Sequence, residues 1–124
     1  MKTLIQFAFL TSLIMLCSCK HESLIEMPEP NPMDCDTTEV SFSGIIAPIL
    51  QQNCYMGCHN GTNPSSGFLL DNYNGVKAKV NEGRLYGAVA RLTGYVAMPL
   101  DQDPLPDCKI SQIKAWIDEG ALDN

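Results

Sequence analysis

The pattern of apolar and polar residues predicts short helices joined by long loops over the last two thirds of the chain. Apolar residues recur at helical spacing in residues 43–53 and again in residues 107–119. Glycines bound two further apolar segments, which predict helices over about residues 73–80 and 85–92. The predicted fold class is therefore all-α, with about four short helices and long loops.

Capping residues mark the ends of the first and last predicted helices. Ser43 stands where an N-cap is expected, and Pro48 is tolerable only near the first turn of the helix that follows. Pro106 suits the first position of the last helix, and Gly120 is its predicted C-cap. The last helix is predicted to be amphipathic, with Trp116 on its buried side.

The N-terminal residues form a single apolar run after a positive charge, unlike the helical patterns of the rest of the chain. Lys2 precedes the run Leu4–Leu16, which is shorter than the roughly 20 residues that a membrane-spanning helix needs. This pattern predicts a secretory signal peptide over residues 1–18. Its end, Leu16-Cys17-Ser18-Cys19, resembles the lipobox of bacterial lipoproteins, which implies that Cys19 is the lipidated first residue of the mature protein. The alternative is an ordinary cleaved signal that leaves Cys19 unmodified.

Lipidation of Cys19 predicts a protein of the cell envelope, anchored to a bilayer by acyl chains and facing the periplasm or the outer surface of a bacterial membrane. Three prolines between residues 28 and 32 leave no helical or strand period after the anchor. Residues 19–36 are therefore predicted to be a flexible tether, and residues 37–124 a single domain.

The net charge of the chain indicates which classes of partner to expect. Eight basic and 14 acidic residues among 124 leave a net charge of −6. Nucleic acid is therefore not an expected partner, because phosphate binding depends on basic surfaces. An acidic surface instead favours a basic docking partner.

Two thiols and an imidazole are clustered in the C-x-x-x-C-H sequence formed by Cys54, Cys58 and His59. In an exported chain this combination indicates covalent attachment of haem c, with His59 as iron ligand. The spacer is one residue longer than in the usual C-x-x-C-H motif. Two alternatives remain open: a disulfide between Cys54 and Cys58, and a zinc site that adds Cys108 to the three residues.

The haem interpretation also predicts how the other two cysteines of the domain are paired. Four cysteines remain once the signal and the anchor are set aside, and they permit three disulfide pairings. If haem takes Cys54 and Cys58, the remaining pair is Cys35 with Cys108. That bridge closes a loop of about 70 residues and so constrains the unfolded chain.

Met98 is the candidate for a sixth iron ligand. Of six methionines, two fall in the signal and two in the tether, and Met56 lies too close to His59 to reach the opposite face of a haem. Pro99 excludes a helix at Met98 and stiffens the loop, which helps to aim a thioether. The alternative is that Met98 is an ordinary core residue.

The order of these features, ending in the Ala115–Ala121 segment AWIDEGA, resembles the small class I c-type cytochrome domain over about residues 40–122. The resemblance implies a fold wrapped around one covalent haem c, with Cys54 and Cys58 in thioether bonds and His59 and Met98 as axial ligands. The longer spacer departs from the family pattern and requires a bulge, for which Gly57 is suited because glycine accepts positive φ.

The expected function is single-electron transfer in the cell envelope with a redox partner protein. With both axial positions of the iron filled, the domain is not expected to be an enzyme by itself. One alternative is a haem-based ligand sensor or peroxidase-like protein in which Met98 is labile. Another is a non-haem, disulfide-stapled lipoprotein that serves as an interaction module, with Cys54 bonded to Cys58.

Overall fold

The computed structural model describes residues 35–124. The predicted signal peptide of residues 1–18, the lipidation of Cys19 and all but the last two residues of the predicted tether lie outside this part of the chain. No helix within residues 35–124 is long and apolar enough to cross a membrane.

The described residues are helical and contain no strand. A π-helical turn, Phe42–Ile46, leads into helix α1, Ala47–Cys54, and a second π-helical segment, Tyr55–His59, follows it. The other helices are α2, Tyr73–Asn81, α3, Arg84–Val89, and α4, Asp107–Asp118. An all-α class with about four short helices is thus confirmed for residues 35–124.

The start of the first helical segment differs from the prediction. Its N-cap is Ser41 and not Ser43. The Ser41 Oγ accepts a hydrogen bond from the N–H of Gly44 (3.1 Å). Ser43 instead donates from its N–H and its Oγ to the carbonyl of Asn124. Pro48 lies in the first turn of α1, as predicted. The π-helical turn before α1 accounts for the earlier start.

The end of α3 also differs, because the helix stops at Val89 rather than near residue 92. Arg91 takes a left-handed conformation (φ 54°), and the N–H of Leu92 donates to the carbonyl of Gly87 (2.9 Å). This six-to-one bond is the Schellman arrangement that terminates helices. The chain therefore leaves α3 earlier than its apolar residues indicate.

Trp116 of α4 lies at the centre of the core and is almost fully buried. Its ring packs against Phe42 at 5.6 Å between centroids, and Phe42 meets Tyr73 of α2 edge to face at 5.2 Å. The indole N–H donates to the carbonyl of Leu122 (3.0 Å), which satisfies its one polar group. Buried aliphatic residues from every helix complete this core: Val40, Ile46, Ile49, Leu50, Leu70, Val76, Leu85, Val89, Leu105 and Ile113.

Gly120 ends α4 as predicted, at the position after the C-cap residue. It has φ 101°, and its N–H donates to the carbonyl of Ile117 (3.0 Å). The N–H of Ala121 donates to the carbonyl of Trp116 (2.8 Å). The Lys77 ammonium group also donates to the Gly120 carbonyl (2.6 Å), so α2 helps to hold the end of α4.

A disulfide joins Cys35 to Cys108, with 5.4 Å between their Cα atoms. It links the segment before the first helical turn to the first turn of α4. The predicted pairing is confirmed, and the bridge closes a loop with a sequence separation of 73 residues.

Candidate functional site

The C-x-x-x-C-H cluster lies where α1 stops being regular. Cys54 is the last residue of α1, and Met56 and Gly57 then leave helical geometry, with Gly57 at φ 79°. The predicted bulge at Gly57 is thus present. Side chains on the two sides of the bulge differ in exposure: Met56 is 82% exposed, whereas His59 is 6% exposed.

The loop after the cluster folds back onto it through hydrogen bonds. The N–H of Leu70 donates to the carbonyl of His59 (2.8 Å), and the Ser66 Oγ donates to the carbonyl of Cys58 (2.8 Å). The N–H of Gly61 donates to the Asp71 carboxylate (3.1 Å). These bonds hold the backbone of Cys58 and His59 against the loop that follows them.

His59 is the one buried polar side chain within residues 35–124. Its ring packs against Phe68 with 4.6 Å between centroids. Among the described residues its Nδ1 has no hydrogen-bond partner of normal geometry. Burial lowers the pKa of His59, and the nearby backbone carbonyl of Phe68 opposes this to a smaller extent. A neutral imidazole is the form that binds metals.

A charged group also lies over the ring of Phe68. The Lys79 ammonium nitrogen lies 4.7 Å from the centre of the Phe68 ring and pairs with Glu82 at 2.9 Å. The cation therefore rests on an aromatic face while its charge is compensated by a carboxylate. Lys79 and Glu82 both line the cavity described next.

A cavity of about 720 Å³ opens beside these residues. This volume lies within the range of about 300–1,000 Å³ that is typical of ligand pockets. Its walls include both thiols of the cluster, His59 and Met98. Apolar residues from the loop after the cluster, from α3 and from the loop after α3 form much of the rest: Phe68, Leu70, Leu85, Val89, Val96 and Leu100.

The two thiols of the cluster differ in environment. Within residues 35–124 neither has a disulfide partner. Cys54 is partly buried, and burial raises its pKa to about 11, whereas Cys58 is exposed. Cys108 is committed to the disulfide with Cys35, and no group of three or more His, Cys, Asp or Glu residues in the described part of the chain is arranged to hold a metal ion. The zinc alternative needed Cys108 as its fourth ligand, and the disulfide takes that thiol.

Met98 reaches the same cavity from a separate part of the chain. Its N–H donates to the carbonyl of Ala88 in α3 (3.1 Å), and its side chain is partly buried. The fold thus brings together four predicted residues that span positions 54–98 in sequence. Pro99, which also lines the cavity, follows it outside any helix, as predicted.

Sequence reasoning missed two contacts at this site. The Lys79–Glu82 pair has the i, i+3 spacing of helix-surface ion pairs, which was the available signal. The packing of Tyr95 on Gly87 had no signal, because it joins a loop to a helix.

Comparison of the chain with protein-family models, with curated proteins and with solved structures found no match in any of the three. The assignment of a function therefore rests on the cavity and on the residues that line it.

Proposed function

We propose that residues 37–124 are a monohaem c-type cytochrome domain, similar to the small class I cytochromes, that carries single electrons. The observation behind this proposal is one cavity lined by a buried imidazole, a methionine and two thiols that have no disulfide partner within residues 35–124. Of these residue types, a histidine and a methionine can bind haem iron, and two thiols can bind its vinyl groups.

The residues fit a haem in three respects. His59 is buried, and burial lowers its pKa, which favours the neutral ring that binds metals. The Phe68 carbonyl lies close enough to the His59 ring to orient it, in the way that carbonyls orient metal-binding histidines. The surrounding walls are largely apolar, which suits a porphyrin.

In this proposal His59 and Met98 would bind the haem iron, and Cys54 and Cys58 would hold the porphyrin by thioether bonds. Bound haem would supply a centre that gains and loses one electron. The protein's part would be to leave no position on the iron open to other molecules and to exclude water from the ring with apolar side chains. His and Met ligation favours electron transfer over bond-making chemistry and raises the reduction potential.

The proposal extends to location and partners. Lipidation at Cys19 and a tether over residues 19–36 would place the domain beside a membrane in the cell envelope. With a net charge of −6, the redox partner is expected to be a protein with a basic docking surface.

The test is to produce the protein in a host that attaches haem c and to measure haem after extraction with acidified acetone. We expect a pyridine haemochrome spectrum to remain with the protein, and the intact mass to increase by one haem. Cys54→Ala and Cys58→Ala should each shift that spectrum toward a haem with one thioether bond, and the double variant should lose haem on extraction. Ser65→Ala, another change at the cavity wall, is the matched control.

The result that contradicts the proposal is wild-type protein without haem. A mass lower by two hydrogens relative to the form with only the Cys35–Cys108 bridge would then indicate a bond between Cys54 and Cys58. That outcome favours the non-haem interaction module.

A second candidate function is a haem protein that binds a small ligand in place of Met98. The observation that favours it is exposure: every residue from 91 to 97, the segment that leads to Met98, is exposed. Carbon monoxide binding to the ferrous protein without denaturant would support this candidate. A methionine-to-iron charge-transfer band in the ferric protein, with no carbon monoxide binding, would support electron transfer instead.

A further inference from the structure

The segment that carries Met98 is attached to α3 by few contacts. The N–H of Leu92 donates to the carbonyl of Gly87 (2.9 Å), and the N–H of Met98 donates to the carbonyl of Ala88 (3.1 Å). Between these two bonds, residues 93–97 are all exposed. Backbone bonds of exposed loops open readily, so a packing contact is needed to keep such a segment in one position.

Tyr95 makes that contact. Gly87 is a buried glycine of α3, and a Cβ atom built on it would lie 2.6 Å from each of Cγ, Cδ1 and Cε1 of Tyr95. Equal distances to three consecutive ring atoms place the face of the ring directly over the glycine. Carbon atoms in contact lie about 3.5–4.0 Å apart, so any side chain at position 87 would push the ring away.

We infer that Tyr95 is a positioning residue for Met98, and that the absence of a side chain at Gly87 lets the Tyr95 ring pack directly on α3. This role depends on the proposed ligation of haem iron by Met98. Tyr95 lies three residues before Met98 in the same loop, and Gly87 directly precedes Ala88, whose carbonyl accepts the Met98 N–H. The ring contact and the hydrogen bond therefore attach the loop to adjacent residues of one helix.

The ring also lines the cavity, so a direct contact between Tyr95 and the haem is the competing explanation. Gly87→Ala displaces the ring without changing its chemistry. Hydrogen exchange of residues 92–98 in protein made without haem separates the two explanations, because a ring that acted only through the haem would leave that exchange unchanged. Alanine raises the helix propensity of α3, so loss of the helix is not expected from this change. Tyr95 is 43% exposed and lies outside the buried core, so Tyr95→Ala should also leave the fold intact.

The experiment compares purified Gly87→Ala, Tyr95→Ala, their combination and Tyr95→Phe with the wild type. Hydrogen exchange of the peptide spanning residues 92–98 should be about tenfold faster in both single variants, as for a loop that opens more often. The same variants should lose intensity in the methionine-to-iron band and gain carbon monoxide binding while their covalent haem content stays unchanged. Tyr95→Phe should behave as the wild type, and adding Gly87→Ala to Tyr95→Ala should have no further effect.

Two outcomes overturn the inference. One is unchanged exchange and an unchanged methionine band in both single variants that carry haem. The other is an effect of Gly87→Ala that persists in full without the Tyr95 ring. Absence of haem from the wild type is a distinct result: it refutes the proposed function and the positioning of a ligand, while exchange of residues 92–98 still reports on the contact between ring and glycine.

Discussion

Replacing both Cys35 and Cys108 by serine tests how much the disulfide between them contributes to the stability of the domain. The bridge spans a sequence separation of 73 residues. In the chain-entropy treatment, a loop of that length stabilises the folded state by about 4 kcal/mol. A domain of this size has a free energy of unfolding of roughly 5–13 kcal/mol, so the substitution should remove a large share of it.

The assay is equilibrium unfolding in urea, followed by circular dichroism, on samples with equal haem content and with ascorbate present throughout, so that the haem iron stays reduced and a thiol reductant acts only on disulfides. We expect the free energy of unfolding of the double serine variant to fall by about 4 kcal/mol relative to the wild type with its disulfide intact. A thiol reductant should lower the stability of the wild type by a similar amount, because thioether bonds to haem resist such reductants. The double serine variant is the control, since reductant should leave its stability unchanged.

A decrease below about 1 kcal/mol would refute the reasoning, because entropy of loop closure alone predicts several times that value. So would an effect of reductant on the serine variant, which would show that another reducible bond contributes to stability. A larger decrease together with loss of the α4 helical signal would show that the bridge also positions α4 directly.

Three further predictions concern capping residues and thiol reactivity. Gly120→Ala should lower the free energy of unfolding by about 1 kcal/mol, because φ is 101° there, and a thermal midpoint equal to that of the wild type would contradict this. Asn72→Ala should lower the free energy of unfolding by about 1 kcal/mol, because the Asn72 side chain caps α2 by accepting from the N–H of Gly75 at 2.9 Å. The control Asn74→Ala, on the same helix, should leave the thermal midpoint nearly unchanged. In folded protein made without haem at pH 8, iodoacetamide should label Cys58 well before Cys54, because a pKa of about 11 leaves roughly one thiolate in a thousand at Cys54, and equal rates would contradict the burial argument.

The helices and their ends were largely predictable from the sequence. Apolar spacing located α1, α2 and α4 to within a few residues, and Gly120 marked the end of α4. The errors fall at helix starts and ends, where hydrogen bonds to distant residues compete with local preference. Ser43 bonds to Asn124 and not to its own helix, and no local pattern indicates such a partner.

The candidate site was predictable as a set of residues but not as an arrangement. The Cys54–His59 cluster and Met98 could be singled out because thiols, imidazole and thioether are rare groups with few other uses in a short domain. Their common cavity depends on how α3 packs, since the Met98 backbone is bonded to that helix. The contact of Tyr95 with Gly87 belongs to the same packing.

The sequence by itself determined the all-α class, the order of the helices and the chemistry that the cluster offers. These properties depend on local spacing and on residue type. Only the tertiary structure decided that Cys35 and Cys108 are joined, that His59 is buried while Cys58 stays exposed, and that Met98 reaches the cavity that His59 lines. The physical reason is that burial and proximity depend on contacts between residues far apart in the chain, which the packing of the helices against Trp116 brings about.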